Sequence, residues 1–127
     1  MTRKRSPKAA GLRLAEIRDL LGCEVICGED RLEDVVTECF AADLMSDVLA
    51  FSKSHVLLIT GLSGIQSVHT ADVAELAGIV FVHRKRPSAQ VLDLAAERGI
   101  PVLSTHLHMF DACATLAAKG LRGGSKG

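Results

Sequence analysis

The stretch HVLLIT, residues 55–60, decides the fold class of this chain. It is a nearly continuous apolar run, which is typical of a strand covered on both faces. Similar runs follow at residues 79–82 and 102–104, and a segment with helical patterning separates each run from the next. Such alternation predicts parallel strands joined by right-handed crossovers. We therefore expect an α/β fold, a single compact domain with a small mostly parallel sheet flanked by helices.

The flanking segments extend this pattern in both directions. Helical spacing over residues 11–21 predicts a helix that ends at Gly22. Residues 23–27 and 35–42 are expected to be extended, and Asp43 is a suitable N-cap for a short helix through residue 51. Further helices are expected from Ser67 or Thr70 to about residue 77, from Pro87-Ser88 to about residue 98, and over residues 109–119.

Length and composition indicate one domain with an aliphatic core. The chain has 127 residues, of which 48% are hydrophobic and only 3% aromatic, with no Trp and no Tyr. Scarce aromatic rings disfavour single-stranded nucleic-acid binding, which usually depends on stacking platforms. We expect the domain to span residues 11–119, between a basic flexible tail at residues 1–10 and a flexible Gly-rich tail at residues 120–127.

The charge distribution argues against a nucleic-acid partner. The net charge is zero, but residues 9–120 contain nine basic and all fifteen acidic residues. An acidic body is not typical of a nucleic-acid-binding fold.

The sequence shows neither a long apolar span nor a signal peptide, so no membrane partner is expected. The four cysteines are interpreted as reduced thiols, and the predicted location is cytoplasmic.

Ligands of parallel sheets bind beyond the carboxyl ends of the strands, and polar residues collect there. The loop at residues 61–64 lacks the lysine of a P-loop and is either an ordinary connection or the lining of a pocket. The basic run at residues 83–86 is either a solvated loop or an anion site. The candidate ligand-binding residues are Asp43, Ser46, Asp47, Thr60, Ser63, Arg84, Ser104, Thr105 and His106. Small hydroxyl groups and helix starts suit a polar or anionic small molecule.

Catalytic and metal chemistry have weaker support in the sequence. Ser104 and Thr105 adjoin His106, but neighbours in the chain do not by themselves form a nucleophile–base pair, and no G-x-S-x-G elbow is present. Cys23 and Cys27 would lie roughly 13 Å apart in a strand, too far to share a metal ion. We therefore expect no catalytic residue, no metal site and no cofactor.

Four stretches of the chain, in order, resemble the DRTGG domain family. They are residues 24–32, 43–50, 76–82 and 99–105, within a similarity that covers about residues 12–118. The combination of D-L-x-S-D-V with G-I-P-x-L-S-T is fairly specific. The chain departs from the family at the motif that names it, where Thr37 is kept but Glu38 and Cys39 replace two glycines.

The resemblance implies a regulatory module with a fold similar to the N-terminal domain of the bacterial HPr kinase/phosphorylase. Members occur alone or fused to phosphotransacetylases and to regulatory pyrophosphatases, where the module dimerises and helps to bind adenine nucleotides beside CBS domains. Stand-alone copies are often found near iron-hydrogenase genes. The leading hypothesis is thus a non-catalytic, homodimeric module that senses a small polar or anionic ligand such as an adenine nucleotide. The alternatives are a docking module for a metabolic enzyme of hydrogen or acetate metabolism, and a small transferase that uses His106 or a cysteine.

Overall fold

The computed structural model describes residues 11–127. Its helices in that range are α1 (Leu14–Leu21), α2 (Met45–Phe51), α3 (Ile65–Val73), α4 (Ala89–Glu97) and α5 (Met109–Ala118). Its strands are β1 (Leu12–Arg13), β2 (Glu24–Cys27), β3 (Val35–Val36), β4 (Glu38–Ala41), β5 (Leu57–Thr60), β6 (Gly78–Phe81), β7 (Val102–Ser104) and β8 (Arg122–Gly123). A single 3-10 turn at Glu29–Arg31 follows β2.

The main sheet has the strand order β2-β7-β6-β5-β4-β8. All neighbouring strands in it run parallel except β2, which is antiparallel to β7. Strands β1 and β3 form a small separate antiparallel pair. The α/β class and the mostly parallel sheet expected from the sequence are confirmed. The extended segment at residues 35–42 is divided, because β3 joins the small pair and β4 joins the main sheet.

Helices cover the main sheet on both faces. Strands β5 and β6 are buried at every position, as their uninterrupted apolar sequences require. On one face Leu58 and Ile79 share a core cluster with buried side chains of α2, α3 and α4. On the other face Leu57 and Val80 share a second cluster with those of α1 and α5. Each of β4 to β7 is followed by a helix, so the carboxyl ends of these strands and the starts of α2 to α5 lie at one edge.

Two helix boundaries confirm the sequence expectation. Gly22 ends α1 in the left-handed conformation, with φ +62°, a conformation that glycine adopts without steric cost. The Ser88 hydroxyl accepts a hydrogen bond from the Val91 backbone N–H and so caps the start of α4.

Two other helix starts were predicted wrongly. Leu44, not Asp43, occupies the N-cap position of α2, and no side chain caps that helix. Helix α3 begins at Ile65 after Gly64, and it ends before residue 77. Ser67 and Thr70 both lie inside α3, because the Ser67 hydroxyl donates back to the Leu62 carbonyl instead of capping a later start.

The segment from Gly120 differs from the expected tail. Arg122–Gly123 forms β8, which adds a parallel strand to the outer edge of β4. The Gly124 N–H donates to the Cys39 carbonyl over 2.8 Å, and the Lys53 N–H donates to the Gly124 carbonyl over 2.8 Å. The sheet therefore continues beyond residue 119. The basic tail expected at residues 1–10 lies outside the described residues.

Candidate functional site at the carboxyl edge of the sheet

The structure divides the candidate residues between two depressions. The first, here called the arginine cleft, has a volume of about 280 Å³ and is lined by Gly22, Glu24, Arg84, Arg86, Ser104, Thr105 and His106. The second, here called the α2–α3 groove, has a volume of about 380 Å³ and is lined by Asp43, Leu44, Met45, Ser46, Leu62, Gln66, His69 and Thr70. The nine candidates thus do not form one pocket, and Asp47, Thr60 and Ser63 line neither depression.

The hydroxyl groups at the end of β7 make hydrogen bonds within the protein. Thr105 is buried, and its Oγ1 donates to the Leu21 carbonyl over 2.6 Å and accepts from the Leu107 N–H over 3.2 Å. The Ser104 Oγ donates to the Lys85 carbonyl over 2.9 Å. These bonds hold the end of α1 and the basic loop against β7. The two side chains therefore build the wall of the arginine cleft, and the charged groups in it are those of Arg84, Arg86 and Glu24. The exposed His106 side chain also lines the cleft.

Asp43 also makes hydrogen bonds within the protein, at the end of β5. Its Oδ1 accepts from the Thr60 hydroxyl over 3.0 Å and from the Gly61 N–H over 2.8 Å. The Thr60 Oγ1 in turn accepts from the Leu62 N–H over 3.1 Å. The carboxylate thus fixes the loop after β5, which explains why it does not cap α2. Ser46 lies beside this cluster on the rim of the α2–α3 groove.

The basic loop has an unusual backbone. His83 and Arg84 both have positive φ values, +61° and +58°, which residues with a Cβ seldom adopt. The His83 N–H donates to the Leu107 carbonyl and the Arg84 N–H to the Thr105 carbonyl, each over 2.8 Å. The His83 ring also stacks on that of His108, with centroids 4.1 Å apart. Backbone strain of this kind is concentrated at functional sites, and here it is stabilised by defined contacts.

The two arginines of the cleft differ in their pairing. The Arg86 guanidinium donates to both carboxylate oxygens of Glu24, with an Nη2–Oε2 distance of 3.3 Å. This hydrogen bonding lowers the pKa of Glu24 and raises that of Arg86. Among residues 11–127, by contrast, the exposed Arg84 side chain has no carboxylate partner. Arg84 is thus the cleft's available cation.

Sequence reasoning missed three residues of the arginine cleft: Gly22, Glu24 and Arg86. Arg86 belongs to the basic run that the sequence singled out. Glu24 and Gly22 lack a signal of this kind, because they join the cleft only through the antiparallel pairing of Glu24 with Ser104 at the sheet edge.

The thiols of the described residues are poor nucleophiles. Burial raises the pKa of Cys23 to about 12 and that of Cys39 to about 11. Burial also raises the pKa values of Cys27 and Cys113. Since the thiolate is the reactive form, these groups are protonated and weakly reactive near neutral pH.

Residues 11–127 contain no cluster of three or more His, Cys, Asp or Glu side chains that could hold a metal ion. In the same range, no helix is long and apolar enough to cross a membrane.

Comparisons with known proteins support the family resemblance. A family model described as DRTGG domain matches residues 16–118. The fold is similar to the crystal structure of the CBS and DRTGG domains of the regulatory region of Clostridium perfringens pyrophosphatase, complexed with the activator diadenosine tetraphosphate. That match has a TM-score of 0.69 and 18% identity, and it covers 95% of this chain and 54% of the other, so this chain spans about half the length of that structure. Comparison with curated proteins gives no match.

Proposed function

Because the chain belongs to the DRTGG domain family, we propose that it is a non-catalytic regulatory module that senses a small anionic ligand such as an adenine nucleotide. One observation carries the proposal. Arg84 lies in an open cleft at the carboxyl edge of a parallel sheet, where ligands of such sheets bind, and no carboxylate neutralises it among the described residues. A guanidinium group in this position suits a phosphate oxygen.

Two further features agree with a sensor. The hydroxyls of Ser104 and Thr105 are engaged in internal hydrogen bonds, so neither is a free nucleophile in the cleft. The pyrophosphatase region with the similar fold is described as complexed with diadenosine tetraphosphate, an activator rich in phosphate groups. Adenine nucleotides are therefore the first ligands to test.

The proposal is tested by thermal unfolding in the presence of AMP, ADP, ATP and diadenosine tetraphosphate. A ligand at 100 times its dissociation constant adds about 2.7 kcal/mol to the free energy of unfolding, which raises the Tm by roughly 10 °C for a domain of this size. We expect Arg84→Gln to abolish most of the shift. Lys119→Gln is the matched control, because Lys119 follows α5 at the opposite edge of the sheet and is also exposed.

A shift that is the same in Arg84→Gln and in the wild type would place the ligand elsewhere and contradict the proposed site. The absence of a shift with every nucleotide would contradict nucleotide sensing itself. Calorimetric titration of the ligand that gives the largest shift then measures its dissociation constant directly in both variants.

A second candidate function, a module that docks on a metabolic enzyme without a small ligand, is supported by exposed apolar side chains. Leu44, Leu49 and Phe51, in and next to α2, are 60%, 47% and 56% exposed, and Ile65 at the start of α3 is 38% exposed. Leu44 also lines the α2–α3 groove. Exposed apolar groups gathered on neighbouring elements are typical of protein interfaces.

A further inference from the structure

The arginine cleft contains its own anion. Glu24 and Arg86 form their ion pair inside the cleft, which is also lined by Arg84, a side chain that pairs with no carboxylate of residues 11–127. We infer that Glu24 is an intramolecular competitor, whose carboxylate holds Arg86 until a ligand carrying a phosphoryl group replaces it. The inference rests on the proposed function, since it concerns the ligand class and the regulation of the same cleft.

The geometry of the pair makes the competition direct. Both terminal nitrogens of Arg86 donate to the two oxygens of Glu24. A guanidinium group binds a phosphate most strongly through the same two-pronged arrangement. That edge of Arg86 therefore serves either Glu24 or a ligand, and not both at once.

The exposure of the pair makes the exchange easy. The side chains of Arg86 and Glu24 are 60% and 59% exposed. Ion pairs with this exposure are weak, because water and salt screen the charges. Glu24 thus leaves Arg86 at little cost when a stronger anion arrives, and it returns when the anion departs.

The competitor also selects the chemical class of the ligand. If a ligand carboxylate replaced the Glu24 carboxylate, Arg86 would exchange one singly charged, two-oxygen partner for another. The exchange would therefore give no gain in binding free energy at Arg86. A phosphoryl group carries a charge of about −1.5 to −2 and three acceptor oxygens, so it attracts Arg86 more strongly than a single carboxylate does and still has an oxygen for a second donor. The cleft is therefore built to prefer a phosphoryl group over a carboxylate.

The inference is tested by calorimetric titration of the full chain with inorganic pyrophosphate and, as a single carboxylate, acetate. We expect the wild type to bind pyrophosphate more tightly than acetate. We expect Glu24→Gln to bind pyrophosphate about fivefold more tightly than the wild type, the change that corresponds to losing an exposed ion pair. Glu97→Gln, which removes an exposed carboxylate at the far end of α4, should leave the affinity unchanged.

The Arg86→Gln background separates competition from simple charge repulsion. If Glu24 acts by occupying Arg86, the gain from Glu24→Gln should largely disappear once Arg86 is absent. An equal gain in both backgrounds, or no gain in the first, would overturn the inference.

Arg84→Gln separates the inference from the proposed function. Loss of pyrophosphate binding in Arg84→Gln together with no effect of Glu24→Gln would overturn the competitor role alone. Failure of both the wild type and Glu24→Gln to bind pyrophosphate would overturn the proposed site as well. A circular dichroism spectrum and a Tm for each variant establish that it is folded, as expected for changes at exposed positions.

Discussion

Thr105 shows how a single side chain connects distant parts of this fold. Its hydroxyl joins the end of β7 to the carbonyl of Leu21 at the end of α1. The sequence places Thr105 at a strand end, where a hydroxyl is a reasonable ligand-binding group. The sequence does not reveal that the hydroxyl donates a hydrogen bond to a carbonyl more than eighty residues away, because that contact depends on how α1 packs. The same limit applies to Thr60 and its partner Asp43.

We expect Thr105→Val to destabilise the protein by about 1–3 kcal/mol, because the change leaves the Leu21 carbonyl and the Leu107 N–H without their partner in a buried position. Ser63→Ala, at a half-buried loop position where no side-chain hydrogen bond is formed among the described residues, should change stability by less than about 0.5 kcal/mol. Urea denaturation monitored by circular dichroism measures both. Equal stabilities of Thr105→Val and the wild type would show that the hydroxyl is dispensable to the fold.

At the scale of elements, β8 is the part of the structure that the sequence predicted least well. A Gly-rich composition after residue 119 indicates flexibility, yet Gly124 fits closely against Val56 and Glu38 of the neighbouring elements. A Cβ built on Gly124 would lie 2.6 Å from the Val56 Cγ1, whereas a Cβ on Gly123 would meet nothing within 4 Å. Glycine at 124 is thus required by a close approach, and composition alone cannot distinguish that role from a linker. Glu38, which replaces a glycine of the family motif, lies on β4 opposite Arg122 of β8. It forms an ion pair with Lys53.

We expect Gly124→Ala to lower the free energy of unfolding by about 1–3 kcal/mol, the usual effect of overpacking a fully buried position. Gly123→Ala is the matched control at the adjacent position and should be neutral or slightly stabilising. Chemical denaturation of the two variants provides the comparison. A similar loss in both would indicate that backbone entropy, and not contact with Val56, governs this edge.

At the scale of the whole molecule, the sequence predicted the layers but not their arrangement. The apolar runs of β5, β6 and β7 and the helices between them predict an α/β fold, because alternating strands and helices bury their apolar surfaces in a parallel sheet covered by helices. The position of β2 follows from no local pattern, because its antiparallel pairing with β7 is a property of the assembled sheet. That pairing brings Glu24 into the arginine cleft, and this explains why the candidate site was predicted only in part.

The exposed apolar side chains of Leu44, Leu49, Phe51 and Ile65 lead to an expectation about assembly. We expect light scattering to show a dimer at micromolar concentration, and the double change Leu44→Ser with Phe51→Ser to shift it to monomer. Phe110→Ser is the matched control, because Phe110 is 79% exposed but lies in the first turn of α5, on the other face of the sheet. A wild type that is monomeric throughout this range would contradict the homodimer.

The long separation of β4 and β8 along the chain also affects how the sheet is completed during synthesis. Strand β4 is synthesised more than eighty residues before β8, its partner on the outer edge. At elongation rates of 5–20 residues per second, the ribosome needs roughly 4–16 s for that interval. Until then the nascent sheet presents the unpaired backbone of β4, which can associate with a neighbouring chain. Slower elongation between β4 and β8 therefore lengthens the period in which newly made molecules can aggregate.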